Sequence, residues 1–91
     1  MEQDLHELVE IFTEVDSYEK MQRIFDDMFT EKEKHDFALR WRLMKEIHHG
    51  KPQREIAADL GISLCKITRG SKILKEEDSL IKQLIEEHTN G

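Results

Sequence analysis

The chain has one cysteine, one proline and four glycines in 91 residues, and no apolar run near the roughly 18–20 residues that a membrane-spanning helix needs. Each scarcity excludes something. A lone Cys65 cannot close an internal disulfide and fits a reducing compartment. Pro52 and all four glycines lie beyond His49, and no six-residue stretch alternates apolar with polar, so every segment reads as helix and the expected class is all-α. The opening "MEQDLHELVE" is acidic where a secretory leader would be basic and then apolar. The expectation is a soluble cytoplasmic protein with no membrane segment. Hydrophobic residues make up only 37% of the chain, thin material for a private core, and a second copy is expected to supply the missing burial.

Charge is present but uneven. The net of -6 hides residues 37–75, where nine bases meet only Glu46, Glu55 and Asp59. Their flanks are acidic, with 12 acids against four bases over 1–36 and five acids against Lys82 over 76–91. The window "GISLCKITRGSK", residues 61–72, holds Lys66, Arg69 and Lys72 and no acid at all. A basic middle between acidic flanks suits a local anion-binding face.

Apolar spacing supplies the helices. Leu5, Leu8, Val9, Phe12 and Val15 share one helical face, and Tyr18, Met21, Ile24, Phe25 and Met28 repeat the pattern, with Asp16 or Ser17 as the cap between. Thr30 and Glu33 have capping-box spacing, opening a long helix that Gly50 should stop after His48 or His49. That helix carries two apolar stripes, Phe37, Trp41, Met44 and His48 on one side and Leu39, Leu43 and Ile47 on the other. A helix apolar around most of its girth needs partners on several sides; Trp41 reads as core. Leu80, Ile81, Leu84 and Ile85 mark a last amphipathic helix. The total is about six helices.

Counting from Gln53, the apolar residues Ile56, Leu60, Ile62 and Ile67 take the fourth, eighth, tenth and fifteenth places, with Ala57 fifth and Gly61 ninth. Two short helices crossing steeply need a small fifth residue, where the second helix passes over. The ninth must accept positive φ at the corner. Pro52 suits the first turn of the first helix and Ser63 can cap the second. These constraints together predict a helix-turn-helix. In its DNA-binding form the second helix enters the major groove and its N-terminal residues meet base edges. Here that end offers Leu64, Cys65, Lys66 and Thr68, with Lys51, Gln53, Arg54, Lys72 and Lys75 flanking, the lysines and the arginine as phosphate contacts.

"QREIAADLGISLCKITRGSKILK" resembles the reading head of the tryptophan repressor family, and "MFTEKEKHDFALRWRLMKEIHHG" is similar to the loop and central helix of the same family. The likeness covers about residues 18–75. It implies an intertwined all-helical homodimer, one domain over 1–91, with the helix-turn-helix at 52–73 and the dimerisation core at 1–49 and 76–89. It also implies binding of double-stranded operator DNA with L-tryptophan as corepressor, hence a regulator rather than an enzyme, acting on genes of tryptophan biosynthesis or uptake. Carried over by position, Arg69 matches the arginine on the amino acid's carboxylate and one indole face, and Arg40 the arginine on the opposite face. Gly70 sits where a side chain would crowd the ligand; Thr30 and the carbonyls of Asp27 and Phe29 match the partner-subunit loop that takes the ammonium group. A planar guanidinium can both stack on a ring and fork onto a carboxylate, which suits the arginines to that task.

Some residues depart from the pattern. Asp27 stands where the family has an apolar residue, Ile73 is bulkier than the serine expected there, and Cys65 and Lys66 replace small residues. "FDDMFT" also resembles a sister group sharing the fold, which implies the alternative of a helix-turn-helix regulator with a different amino-acid ligand or none. Catalysis and metal binding find no support in spacing: Cys65 stands alone, and His48 and His49 point about 100° apart on a helix.

Overall fold

Local signals set the helix boundaries. The computed structural model describes residues 1–90, excepting the side chains of Thr89 and Asn90; Gly91, the end of the expected domain, lies outside the described residues. Six helices and no strand occur among them: α1 (Glu2–Glu14), α2 (Tyr18–Met28), α3 (Glu31–His48), α4 (Gln53–Leu60), α5 (Leu64–Leu74) and α6 (Leu80–Asn90). None is long and apolar enough to cross a membrane. By internal contact the chain divides into two compact units, Met1–His35 and the remainder from Asp36.

In the first unit Ser17 caps α2, its hydroxyl accepting from the Lys20 amide at 3.3 Å. Thr30 and Glu33 form the expected box in both directions: the Thr30 amide donates to Glu33 Oε1 at 2.9 Å, and the Glu33 amide to Thr30 Oγ1 at 3.1 Å. The Thr30 amide and hydroxyl hold the Glu33 carboxyl below the usual carboxylate range. Lys34 reaches back to Asp26 at 2.9 Å and pairs with Glu31 at 2.7 Å, which raises its pKa. Phe12 meets Phe25 edge to face at 5.9 Å between centroids. Yet no residue of α1 or α2 is buried.

The second unit has a true core. Leu43 of α3, Ile56 of α4 and Ile67 of α5 form one cluster, with Ile47, Ala57, Leu60 and Ile62 packed on it, and Leu74 and Ile85 are buried besides. The expected apolar places of the 53–67 pattern therefore all face this cluster. Both predicted left-handed glycines are present, Gly50 with φ 84° and Gly61 with φ 64°. At Gly50 the Lys51 amide donates to the Glu46 carbonyl and the Gly50 amide to the Ile47 carbonyl, the paired bonds of a Schellman end.

Three details differ from the sequence expectation. Ser63 holds the N-cap position of α5 but its hydroxyl makes no capping bond. Pro52 is the N-cap of α4, one residue before the first turn, where its carbonyl accepts from the Ile56 amide. Trp41 is only half-buried, and Phe37 is exposed. The wide apolar girth of α3 exceeds what the described residues of one chain cover. A capping residue absent from the reading is Ser79, buried, whose hydroxyl accepts from the Lys82 amide at 3.3 Å to open α6.

Candidate nucleic-acid interface

The basic window becomes α5 and the turn before it. Ile67, Gly70, Ser71 and Leu74 face inward along α5, leaving Leu64, Cys65, Lys66, Thr68, Arg69 and Lys72 exposed. Burial at Ile67, Gly70 or Ser71 and Leu74 follows the helical repeat, so the same spacing that anchors α5 turns its cations outward. No acid occupies the first turn of α5, which leaves the positive end of its dipole uncompensated.

Gln53, Thr68 and Lys72 come together. With Ser71, Lys75 and Glu76 they line an open hollow of about 420 Å³ between the start of α4 and the later turns of α5. Leu64, Cys65 and Lys66 lie at the α5 N-terminus outside that lining, and Arg54 is exposed on α4. The Thr68 hydroxyl donates to the Leu64 carbonyl at 2.9 Å, which fixes its rotamer and leaves the oxygen free to accept. Glu76 was not foreseen at this surface; it falls just beyond the end of α5, where only the fold brings it near Gln53.

Lys51 behaves otherwise. It is half-buried, and its ammonium lies 2.6 Å from Asp59 Oδ2 and 3.4 Å from Glu46 Oε1. The hydrogen bond to Asp59, then the charge of both carboxylates, raises its pKa. Glu46 is a buried acid that composition alone does not reveal. Arg42 donates to its Oε1 at 3.0 Å across one helical turn, and this bond, with Lys51 beside it, holds the carboxyl below its usual range. The i,i+4 spacing of Arg42 and Glu46 was legible; the Lys51–Asp59 pair was not.

The residues expected to hold a ligand fall in both units. In the second, Arg40 on α3 and Arg69 on α5 are exposed, and neither has an ion pair among the described residues. Gly70 is buried, and a Cβ built on it would stand 3.0 Å from Ile47 Cδ1 and 3.3 Å from Met44 Sδ. The close approach that requires glycine here is of α5 to side chains of α3. In the first unit, Asp27 lies in the last turn of α2 and Phe29 is its extended C-cap, with φ -122° and ψ 142°. Their carbonyls belong to the helix end that lacks intrahelical donors. The Thr30 hydroxyl accepts one bond from Glu33 and keeps a second lone pair.

Apart from these, Trp41, Leu84, Glu87 and His88 line a hollow of about 450 Å³ between α3 and α6.

The sequence matches the family profile described as Trp repressor protein over residues 3–89. A protein named Trp operon repressor homolog from Xylella fastidiosa is 35% identical over 78 residues, covering 85% of this chain and 85% of the relative. Another of that name, from Chlamydia trachomatis serovar D, is 34% identical over 67 residues, 72% of this chain and 71% of the relative. No solved structure matches at a significant level.

Proposed function

This chain belongs to the Trp repressor protein family, and we propose that it is a homodimeric transcriptional repressor that grips operator DNA when L-tryptophan is bound. Residues 52–73 serve as the reading head, and residues 1–49 and 76–89 as the dimer core. The observation that carries the reading is the meeting of Gln53, Thr68 and Lys72 at one open surface, on a helix pair whose remaining α5 cations are exposed. Lys66 and Thr68 meet base edges, Leu64 and Cys65 contact the groove wall beside them, and Arg54 and Lys72 serve phosphates.

The dimer answers the bare apolar faces. Leu5 is 63% exposed and Tyr18 82% in the first unit, and Leu80 62% in the second, large apolar side chains that a second subunit would cover. Two heads then enter successive major grooves about 34–36 Å apart, the spacing general to helix-turn-helix dimers, tryptophan repressors among them.

The guanidinium groups of Arg40 and Arg69, exposed and without an ion pair among the described residues, suit a flat ring and a carboxylate. The ammonium group goes to Thr30 and the carbonyls of Asp27 and Phe29 of the second subunit, with the Asp27 carboxylate adding charge nearby. Gly70 lets α5 lie close enough to α3 for a ligand wedged beside them to set its tilt. Whatever tryptophan adds to the DNA-competent state appears as tighter DNA binding, and DNA tightens tryptophan by the same factor.

Calorimetry with L-tryptophan should give saturable binding in the parent chain and none in Arg69→Ala; equal binding by both removes the ligand assignment. A gel shift on duplexes selected from a random-sequence pool, run with each of the twenty amino acids in turn, should show retention with tryptophan. Retention with another amino acid, or with none added, assigns the chain to the sister-group reading.

A further inference from the structure

Lys51 lies in the basic middle of the chain, beside the reading head, yet its ammonium points into the protein. Three observations converge on it. Its amide closes the Schellman end of α3 by donating to the Glu46 carbonyl at 3.1 Å. Its ammonium lies 3.4 Å from the carboxylate of that same Glu46 and 2.6 Å from Asp59, in the last turn of α4. Glu46 is itself buried, with Oε2 sealed from solvent and accepting no hydrogen bond from the described residues. A buried carboxylate with one bare oxygen depends on the cations around it, and among the described residues Arg42 and Lys51 are the ones that pair with it.

The joint these bonds span is short. Only His49, Gly50, Lys51 and Pro52 separate α3 from α4. Gly50 is left-handed and exposed, with nothing within 4 Å of a Cβ placed on it, so packing at the glycine does not restrain the bend. Asp59 sits near the negative end of the α4 dipole, where an acid is unfavourable without a cation beside it. Lys51 supplies that cation and ties it to the end of α3. We propose that Lys51 is a positioning residue: a latch that binds the last turn of α4 to the end of α3 and so sets the attitude of the α4–α5 pair, and not a phosphate ligand. The consequence for DNA rests on the function proposed above; the latch itself does not.

The two roles of a lysine predict opposite signs at Asp59. If Lys51 is a latch, Asp59→Asn loosens α4, and DNA affinity falls about fivefold, as it does in Lys51→Met, with the double variant no worse than Lys51→Met alone. The salt dependence of binding stays parallel to that of the parent chain, because no phosphate contact is lost. If Lys51 serves a phosphate, Asp59→Asn frees it and tightens binding, and Lys51→Met flattens the slope of log K against log salt by about 0.9. Full-length variants on a duplex selected from a random-sequence pool separate these outcomes, and the second overturns the proposal. Lys51→Arg, which can still reach Asp59, should restore parental affinity; a loss as large as that of Lys51→Met also overturns it. Amide exchange gives an arm independent of DNA. Ile56 to Leu60 should exchange severalfold faster in Lys51→Met and at the parental rate in Lys51→Arg. If the parent retains no duplex, the DNA reading fails, and unchanged protection in Lys51→Met then overturns the latch on its own.

Discussion

The two units of this chain make their helices in different ways. Residues 1–35 hold helices with well-formed ends, the Ser17 cap and the Thr30–Glu33 box, and bury no residue of α1 or α2. The unit from Asp36 onward makes no side-chain capping bond at the start of α4 or α5 and buries Ile56, Ile67 and Ile85 completely. Helix ends are governed by the nearest few residues, whereas lasting stability comes from the apolar face each helix hides. The first unit thus has the form of a surface waiting for cover, and the second that of a body which can hold its own shape.

That contrast can be broken most forcefully on the uncovered face. Replacing Leu5 and Val9 together by Asp should convert the proposed dimer to monomer and melt α1 and α2, a loss of about 4 kcal/mol per protomer for two apolar side chains that can no longer be buried. Sedimentation with far-ultraviolet circular dichroism measures both effects, and a double variant that stays dimeric with full helicity would show the face to be plain solvent surface. On the other side, Ile67→Ala should cost about 3 kcal/mol by denaturant unfolding, since Ile67 is sealed between Leu43 and Ile56. The smallest change tests the local end of the comparison. Thr30→Ala should cost about 1 kcal/mol. The Glu33 carboxyl it caps is held below the usual carboxylate range, so the folded chain gives up that proton before the unfolded chain does. The stabilisation from Glu33 is therefore complete above about pH 4.3 and fades as pH falls further. Glu33→Gln should flatten that acid limb, read from thermal melts across pH 2–6.

Much of the site was legible because it depends on short spacings. The 53–67 pattern put Ile56, Ala57, Leu60, Ile62 and Ile67 on the core, and once those faced inward Lys66, Thr68, Arg69 and Lys72 had to face out. Lys51 was not legible. Its charge placed it with the phosphate contacts, while its partner Asp59 lies eight residues away across a joint and a helix, at no periodic spacing. Trp41 also departed from expectation, since it lines a hollow with Leu84, Glu87 and His88 rather than a filled core.

The sequence by itself determined the helices, their ends and the outward basic face of α5, because caps, left-handed glycines and helical periodicity act within about one or two turns. Only the tertiary structure decided that Gly70 faces Met44 and Ile47 and that Lys51 turns inward to Asp59 and Glu46. Both follow from how closely α4 and α5 lie to α3, a distance set by packing among side chains far apart along the chain.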